Sequence, residues 1–130
     1  MTLQGTVQWG RNEVAVVDSS HALKDLITRL EDDAKSRPIM VDVIANDGRS
    51  LTLGLGRDKA VLSLAGPRGA LPYYASVGDE NAEGDISFDY YGQRTDLQLR
   101  HAVPSSKALV AAEQFLSEPG LPNAVRWEEV

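Results

Sequence analysis

The stretch IMVDVIANDGRSLTLGL, residues 39–55, decides the fold. Its first seven residues are rich in β-branched side chains and predict a strand. Asn46-Asp47-Gly48 follows, and these residue types tolerate the positive φ that a hairpin turn requires. The alternation of apolar residues in 51–55 predicts a second strand that pairs back on the first. Residues 39–55 therefore predict an antiparallel β-hairpin.

On the N-terminal side of this hairpin, apolar residues recur at helical spacing between positions 22 and 34. The spacing predicts a helix with one buried stripe, capped by Asp18 or Ser19 and running to about Lys35. Pro38 stops any continuation, because it lacks a backbone N–H and clashes with the preceding turn of a helix.

A second helix is predicted after Pro104, with Ser105 or Ser106 as its cap and its end before Pro119-Gly120. This order of elements predicts an α+β fold: an antiparallel β-sheet of about five to seven strands, with one N-terminal and one C-terminal helix packed on it. No repeat or linker interrupts the chain, so we expect one domain over residues 1–130. The remaining strands are predicted at residues 6–9, 14–17, 60–64, 71–77, 86–91 and 95–99, with an extended tail at 124–127.

The composition is that of a globular protein in a reducing compartment. The chain has 130 residues, 42% of them hydrophobic and 25% charged, which suffices for one buried core. It has no cysteine, which excludes disulfides and thiolate chemistry. The N-terminus shows no secretion signal, and no run approaches the roughly 20 apolar residues that span a bilayer. We therefore expect a soluble cytoplasmic protein that does not associate with membranes.

Negative charge is concentrated in one segment. The net charge is −6, from 13 basic and 19 acidic residues. Residues 1–78 hold nine acids and nine bases, and residues 97–130 hold four acids and three bases. Residues 79–96 hold six acids and one base, Arg94, so five of the six net charges lie there. Such a patch can steer a basic partner, and it argues against direct binding of nucleic acid.

The sequence holds no recognisable catalytic or metal-binding motif. Gly54-Leu55-Gly56 resembles the start of a phosphate-binding loop, but no third glycine and no helix follow. His21 and His101 lie far apart without metal-ligand spacing, and no serine sits in a Gly-x-Ser-x-Gly elbow. Asp89 and Asp96 form a candidate carboxylate pair, yet alternation predicts both to be solvated, whereas a catalytic pair needs differently tuned environments. We therefore expect no enzyme activity, no cofactor and no metal.

The predicted strands at 71–77 and 86–91 indicate a recognition surface instead. Period-two alternation sends Asp89 and Tyr91 to the outer side of one strand and Tyr74 to the outer side of the other. Tyrosine beside acids suits protein recognition, since the ring offers contact area with few rotatable bonds. The alternative is a solvated hairpin loop whose tyrosines cover a second layer. If the two strands pair across the loop between them, the three side chains share a face beside Asp79, Glu80, Glu83 and Asp85.

An ordered series of short motifs follows residue 60: LPYYASVGD (71–79), Gly84, FDYYGQ (88–93), Thr95-Asp96, Val103-Pro104, Phe115-Leu116, Pro122 and Trp127-Glu128-Glu129. In this series, the second half of the chain resembles the first-numbered immunity-protein family of bacterial polymorphic toxin systems. Leu97-Gln98-Leu99 departs from the family pattern, which has an aromatic or proline-bearing continuation there. Residues before 60 resemble the family only in the order of their elements.

The resemblance implies a cytoplasmic antidote that binds and inhibits a cognate toxin, prominently a deaminase that acts on nucleic-acid bases. A toxin of that kind binds phosphates, so its active-site rim is expected to be basic. We therefore hypothesise that residues 79–96 dock over that rim and exclude nucleic acid, in a one-to-one complex formed by an otherwise monomeric protein. The expected toxin-binding residues are Tyr74, Asp79, Glu80, Glu83, Asp85, Asp89, Tyr91, Asp96 and Trp127.

Two other classes of function stay open. The same surface suits an adaptor domain with a non-toxin partner, which a neighbouring gene without a toxin domain would favour. The many acids also leave open a small hydrolase or transferase that uses Asp or Glu as its acid and base. Trp127 and the Tyr-Tyr pairs fit equally well with a role in holding the fold.

Overall fold

The computed structural model of the chain describes residues 3–118 and 120–130, and it confirms the α+β class with two helices. The helices are α1 (Ser20–Asp33) and α2 (Ser106–Ser117). Short 3-10 turns lie at Pro67–Gly69 and Leu99–His101. The strands are β1 (Gly5–Trp9), β2 (Glu13–Val17), β3 (Ile39–Ala45), β4 (Ser50–Leu55), β5 (Lys59–Ala65), β6 (Tyr74–Val77), β7 (Asp85–Tyr90), β8 (Gln93–Gln98), β9 (Ala102–Pro104) and β10 (Arg126–Glu129).

Seven strands form the main sheet in the order β10-β6-β5-β4-β3-β1-β2, with every neighbouring pair antiparallel. β9 pairs with β5, and the β7–β8 hairpin joins β3 through one parallel bridge between Ile39 and Asp89. Over the described residues the sheet therefore has ten strands. The expected count of five to seven is too low, because the first hairpin and the short strands β9 and β10 all join the same hydrogen-bonded network.

Both helices cover one face of the main sheet. The Ser19 side chain caps α1 by accepting a hydrogen bond from the Ala22 N–H at 3.0 Å, as predicted. α2 begins after Ser105 and ends at Ser117, before Pro119-Gly120, both as predicted. Neither helix in the described ranges is long and apolar enough to cross a membrane. The helix-side core that they form with the sheet includes Leu23, Ile27, Val41, Val43, Leu51, Leu53, Ala108, Ala112 and Phe115.

The β7–β8 hairpin covers part of the opposite face. Its residue Phe88 is 2% exposed and packs with Met40 and Val61 of the sheet. The ring lies directly on Gly54, where a Cβ atom would come within 2.6–2.8 Å of three ring carbons. Only a glycine leaves room for the ring at this point. The main sheet therefore has the two helices on one face and the β7–β8 hairpin on the other.

The strands at 71–77 and 86–91 do not pair with each other, so the condition for a shared face of Tyr74, Asp89 and Tyr91 is not met. β6 lies between β5 and β10 in the main sheet, whereas β7 pairs with β8 in the hairpin layer. Residues 78–84 therefore connect two layers and are not a hairpin loop. Tyr74 consequently packs against the helix-side core and does not share a face with Asp89 and Tyr91.

We predict that Gly54→Ala destabilises the protein by about 1–3 kcal/mol, because the added methyl group overpacks the seat of Phe88. Phe88→Leu also destabilises the protein, but its smaller side chain makes room for the methyl group. The double variant should therefore lose less free energy of unfolding than the sum of the two single variants, as measured by urea denaturation. Strict additivity would show that the ring does not rest on Gly54.

Candidate protein-binding surface

All six acids of residues 79–96 lie on the β7–β8 hairpin or on the segment that precedes it; five of them are exposed, and Asp89 is partly buried. Asp85 and Asp89 alternate along β7 with the inward-facing Ile86 and Phe88. Asp96 of β8 lies opposite Ser87, whose hydroxyl donates to its carboxylate at 2.5 Å, so Asp96 belongs to the same outer side. We call this group the acidic surface, and it consists of Asp79, Glu80, Glu83, Asp85, Asp89 and Asp96.

The connecting segment 78–84 is held at both ends. The Gly78 N–H donates to the Arg100 carbonyl oxygen at 2.9 Å, and the Leu99 N–H donates to the Gly84 carbonyl oxygen at 2.9 Å. Gly78 also lies so close to Ala102 that a Cβ would collide with its carbonyl oxygen. The exposed acids between these two anchors are therefore presented on a short, fixed loop.

Arginines from distant segments neutralise part of the acidic surface. Arg126 reaches Glu80 at 3.6 Å and Arg37 reaches Asp89 at 3.3 Å, while Arg94 contacts Asp96 at 3.0 Å from within the hairpin. The Ser87 hydroxyl, followed by the Arg94 guanidinium, holds the pKa of Asp96 below its usual value. Within the described ranges, the ion pairs do not involve the other three acids of the surface, Asp79, Glu83 and Asp85.

The uncompensated charge therefore lies at the loop end of the acidic surface. Asp89, at the other end, has a structural role in addition to its ion pair. Its second carboxylate oxygen accepts the Gly92 N–H at 3.1 Å, which closes the turn of the hairpin. Exposed ion pairs of this type add little to stability, so their main effect is on the local field.

Tyr91 and Tyr90 meet a carboxylate that the sequence does not single out, that of Asp42 on β3. The Tyr91 hydroxyl donates to Asp42 at 2.6 Å, the Tyr90 hydroxyl at 3.0 Å and the Thr52 hydroxyl at 2.6 Å. The two tyrosine ring centroids lie 4.7 Å apart with a 41° tilt. Asp42 is partly buried on the hairpin-side face of the sheet.

The prediction that Tyr91 points outward with Asp89 is wrong. Alternation ends at Tyr90, because Tyr91 and Gly92 have positive φ values of 52° and 90° and form the hairpin turn. The turn redirects the Tyr91 ring to the side of Tyr90. The glycine at position 92, between two alternating segments, is the sequence signal that indicates such a turn.

Tyr74 and Trp127 lie on the other face of the sheet. Tyr74 lines an apolar cleft of about 400 Å³ together with Leu71, Phe115 and Leu121. Trp127 is partly buried against the helix-side core, and its ring N–H donates to the Pro122 carbonyl oxygen at 2.7 Å. The structure thus separates Tyr74 and Trp127 from the hairpin that carries Asp85, Asp89 and Asp96, and it turns Tyr91 towards Asp42.

A serine, a histidine and a glutamate also lie together, between β6, β10 and the turn at Leu99–His101. The His101 Nδ1 atom lies 2.8 Å from the Ser76 carbonyl oxygen and its Nε2 atom 3.7 Å from Glu128. The buried Ser76 hydroxyl donates instead to the His101 carbonyl oxygen at 2.7 Å and accepts the Leu62 N–H. Activation of a serine nucleophile requires a hydrogen bond between its hydroxyl and the base. The His101 ring makes no such contact with the Ser76 hydroxyl. This group ties three elements together.

Potential metal ligands do not cluster elsewhere either: within residues 3–118 and 120–130, no three His, Asp or Glu side chains are grouped so that they could hold a metal ion. Residues 11–129 match the sequence model of a family described as "Immunity protein Imm1". The chain therefore belongs to the Imm1 immunity-protein family, as its motifs predicted, and the family implies a toxin as its partner. No curated protein matches the chain in a sequence comparison.

The contacts of Tyr90 and Tyr91 with Asp42 lead to a prediction about the effect of pH on stability. Burial, together with the negative charge and hydrogen bond of Asp42, raises the pKa of Tyr90 to about 12 and also raises the pKa of Tyr91. Because the unfolded chain ionises first, the free energy of unfolding should fall as the pH rises from about 10 towards 12. In an absorbance titration, two tyrosines should ionise late, and Asp42→Asn should lower the pKa of both. Asp33→Asn on α1 serves as the control, and simultaneous ionisation of all tyrosines near pH 10 would contradict this assignment.

Proposed function

We propose that this protein is the antidote to a toxin that deaminates nucleic-acid bases, and that it acts by binding alone. In this proposal a monomer binds one toxin molecule in the cytoplasm and covers its active site. The observation that supports the proposal is the acidic surface: five of its six acids are exposed, and the strand register puts Asp85, Asp89 and Asp96 on the same side of the β7–β8 hairpin. A toxin that acts on nucleic acid needs a basic rim to bind phosphates, and this surface complements such a rim.

The two ends of the acidic surface have different parts in the proposed complex. Asp79, Glu83 and Asp85 lack ion pairs among the described residues, so their field extends furthest into solvent. They would attract the basic rim over a distance and raise the rate of association. The hairpin end alternates Asp89 and Asp96 with arginines, and such a mosaic of charges favours one partner over others.

Tyr91 is the aromatic residue best placed to contact the toxin. It is 41% exposed and adjoins the hairpin end of the acidic surface. Tyrosines at such positions are frequent anchors in protein interfaces, because the ring buries a large area at small entropic cost. We assign Tyr74 and Trp127 to the packing of β6 and β10, since both lie on the helix-side face.

Charge reversal at the loop end tests the docking site. We expect Glu83→Lys with Asp85→Lys to slow association with the toxin domain encoded next to this gene by about 10-fold at low salt. The salt dependence of the rate should weaken as well, and the dissociation rate should change little. Stopped-flow mixing with a catalytically inactive toxin variant measures both rates.

The matched control is Asp25→Lys with Asp33→Lys, which makes the same charge change on the exposed side of α1. At physiological salt the control should associate within about twofold of the wild-type rate, because the field of an exposed charge then decays over roughly 8 Å. Equal effects of the two double variants would place the docking site elsewhere.

Inhibition by binding also predicts a fixed stoichiometry. When the purified protein is added to a deaminase assay on single-stranded DNA, toxin activity should fall linearly and end at equimolar protein. A catalyst that inactivates the toxin would abolish activity at a small fraction of that amount, and an adaptor would leave it unchanged. Either result would overturn the proposed mechanism.

A further inference from the structure

The β7–β8 hairpin covers only one end of its sheet face, and the adjoining rows of residues are left uncovered. The strand register places Gln8, Asp42 and Thr52 in one row of this face and Thr6 and Ile44 in the next. All five are partly buried and none is fully enclosed. We call these two rows the sheet platform. It extends from the tyrosines of the hairpin turn to the edge strand β2.

Asp42 is the charged centre of the sheet platform. Its carboxylate accepts three hydroxyl hydrogen bonds, from Thr52, Tyr90 and Tyr91. No Lys, Arg or His side chain of residues 3–118 or 120–130 lies within 4.0 Å of its oxygens. The Tyr90 hydroxyl lies within hydrogen-bond distance of both oxygens, at 3.2 and 3.0 Å. Hydroxyl groups supply hydrogen bonds but no opposite charge. A half-buried carboxylate in this setting therefore favours a cation beside it.

The tyrosine rings next to Asp42 also favour a cation. Their centroids lie 4.7 Å apart and the planes are tilted by 41°, so the rings form a corner beside the carboxylate. The face of a tyrosine ring carries partial negative charge and attracts Lys and Arg side chains. Tyr91 is 41% exposed, which leaves part of its ring accessible from solvent.

The far side of the sheet platform is apolar. Val14 and Val16 of β2 lie opposite Gln8 and Thr6 in the register and point to the same face. They are 57% and 79% exposed, although they belong to the sheet. Two strand spacings separate Val14 from Asp42, which is about 10 Å. A single peptide segment spans that distance with three or so residues.

We propose that the sheet platform binds a protein segment that carries a lysine or arginine beside an apolar residue. The basic side chain lies against Asp42 and the rings of Tyr90 and Tyr91, and the apolar residue covers Val14 and Val16. The identity of the partner as the toxin rests on the proposed function. A charge pair here is partly shielded from water, so it prolongs the lifetime of a complex that the exposed acids help to form.

The experiment uses the full chain and a small mimic of an arginine side chain, n-butylguanidinium, followed by amide NMR. We expect saturable shifts at residues 42, 52, 90 and 91, with a Kd in the millimolar range. The uncharged analogue n-butylurea has nearly the same shape and should cause no such shifts. n-Butylammonium, added separately, reports whether lysine is accepted as well as arginine.

Two variants decide the outcome. Asp42→Asn keeps the shape of the side chain and removes its charge, so it should weaken binding of n-butylguanidinium at least 10-fold. Tyr91→Asn tolerates the positive φ of this turn and should weaken binding about threefold through loss of a ring face. It also provides the test if Asp42→Asn fails to fold. Asp33→Asn on α1 is the matched control and should bind as the wild type does.

Shifts confined to the loop around Glu83, equal binding by Asp42→Asn, or equal binding of n-butylurea would overturn the proposal. None of these results bears on the toxin, because the probe binds the free chain. Conversely, failure of the charge-reversal and deaminase tests would remove the toxin as partner and leave the cation site to stand on the NMR data.

Discussion

The packing of Phe88 on Gly54 is the contact on which the arrangement of this molecule depends. A sheet residue without a Cβ lets an aromatic ring lie flat on the strand, and the ring holds the β7–β8 hairpin on the face opposite the helices. That placement turns the alternate residues Asp85 and Asp89 outward and brings the hairpin turn over Asp42.

Negative charge occurs in two environments in this fold. The acids of the loop at 78–84 are exposed, and a charge of this type acts at a distance and is screened by salt. Asp42 is half-buried and held by three hydroxyl groups, and a charge of this type acts only on what touches it. A basic partner would be attracted by the exposed acids as it approaches, and it would contact Asp42 once it has docked. The division suits an antidote, which must find its toxin quickly and then stay bound.

Local patterns predicted the elements well, because each depends on neighbours in the sequence. The β-branched run at Ile39–Ala45 is β3 and the Ser19 cap begins α1, both as expected. Pairing between strands depends on distant residues, and β6 joins β10 rather than β7 for that reason. For the same reason, the sequence did not predict that Arg37 and Arg126 form ion pairs with two of the acids. Asp42 looked like an ordinary strand residue, since only the hairpin turn gives it partners.

The central claim is that the outer side of the hairpin and the loop before it cover the toxin. Hydrogen–deuterium exchange of the protein, alone and with its cognate toxin domain, measures this most directly. Slower exchange on binding at residues 79–98 and unchanged exchange along α1 is the result that the account predicts. Slower exchange confined to α1 and α2, with residues 79–98 unaffected in a formed complex, would contradict it.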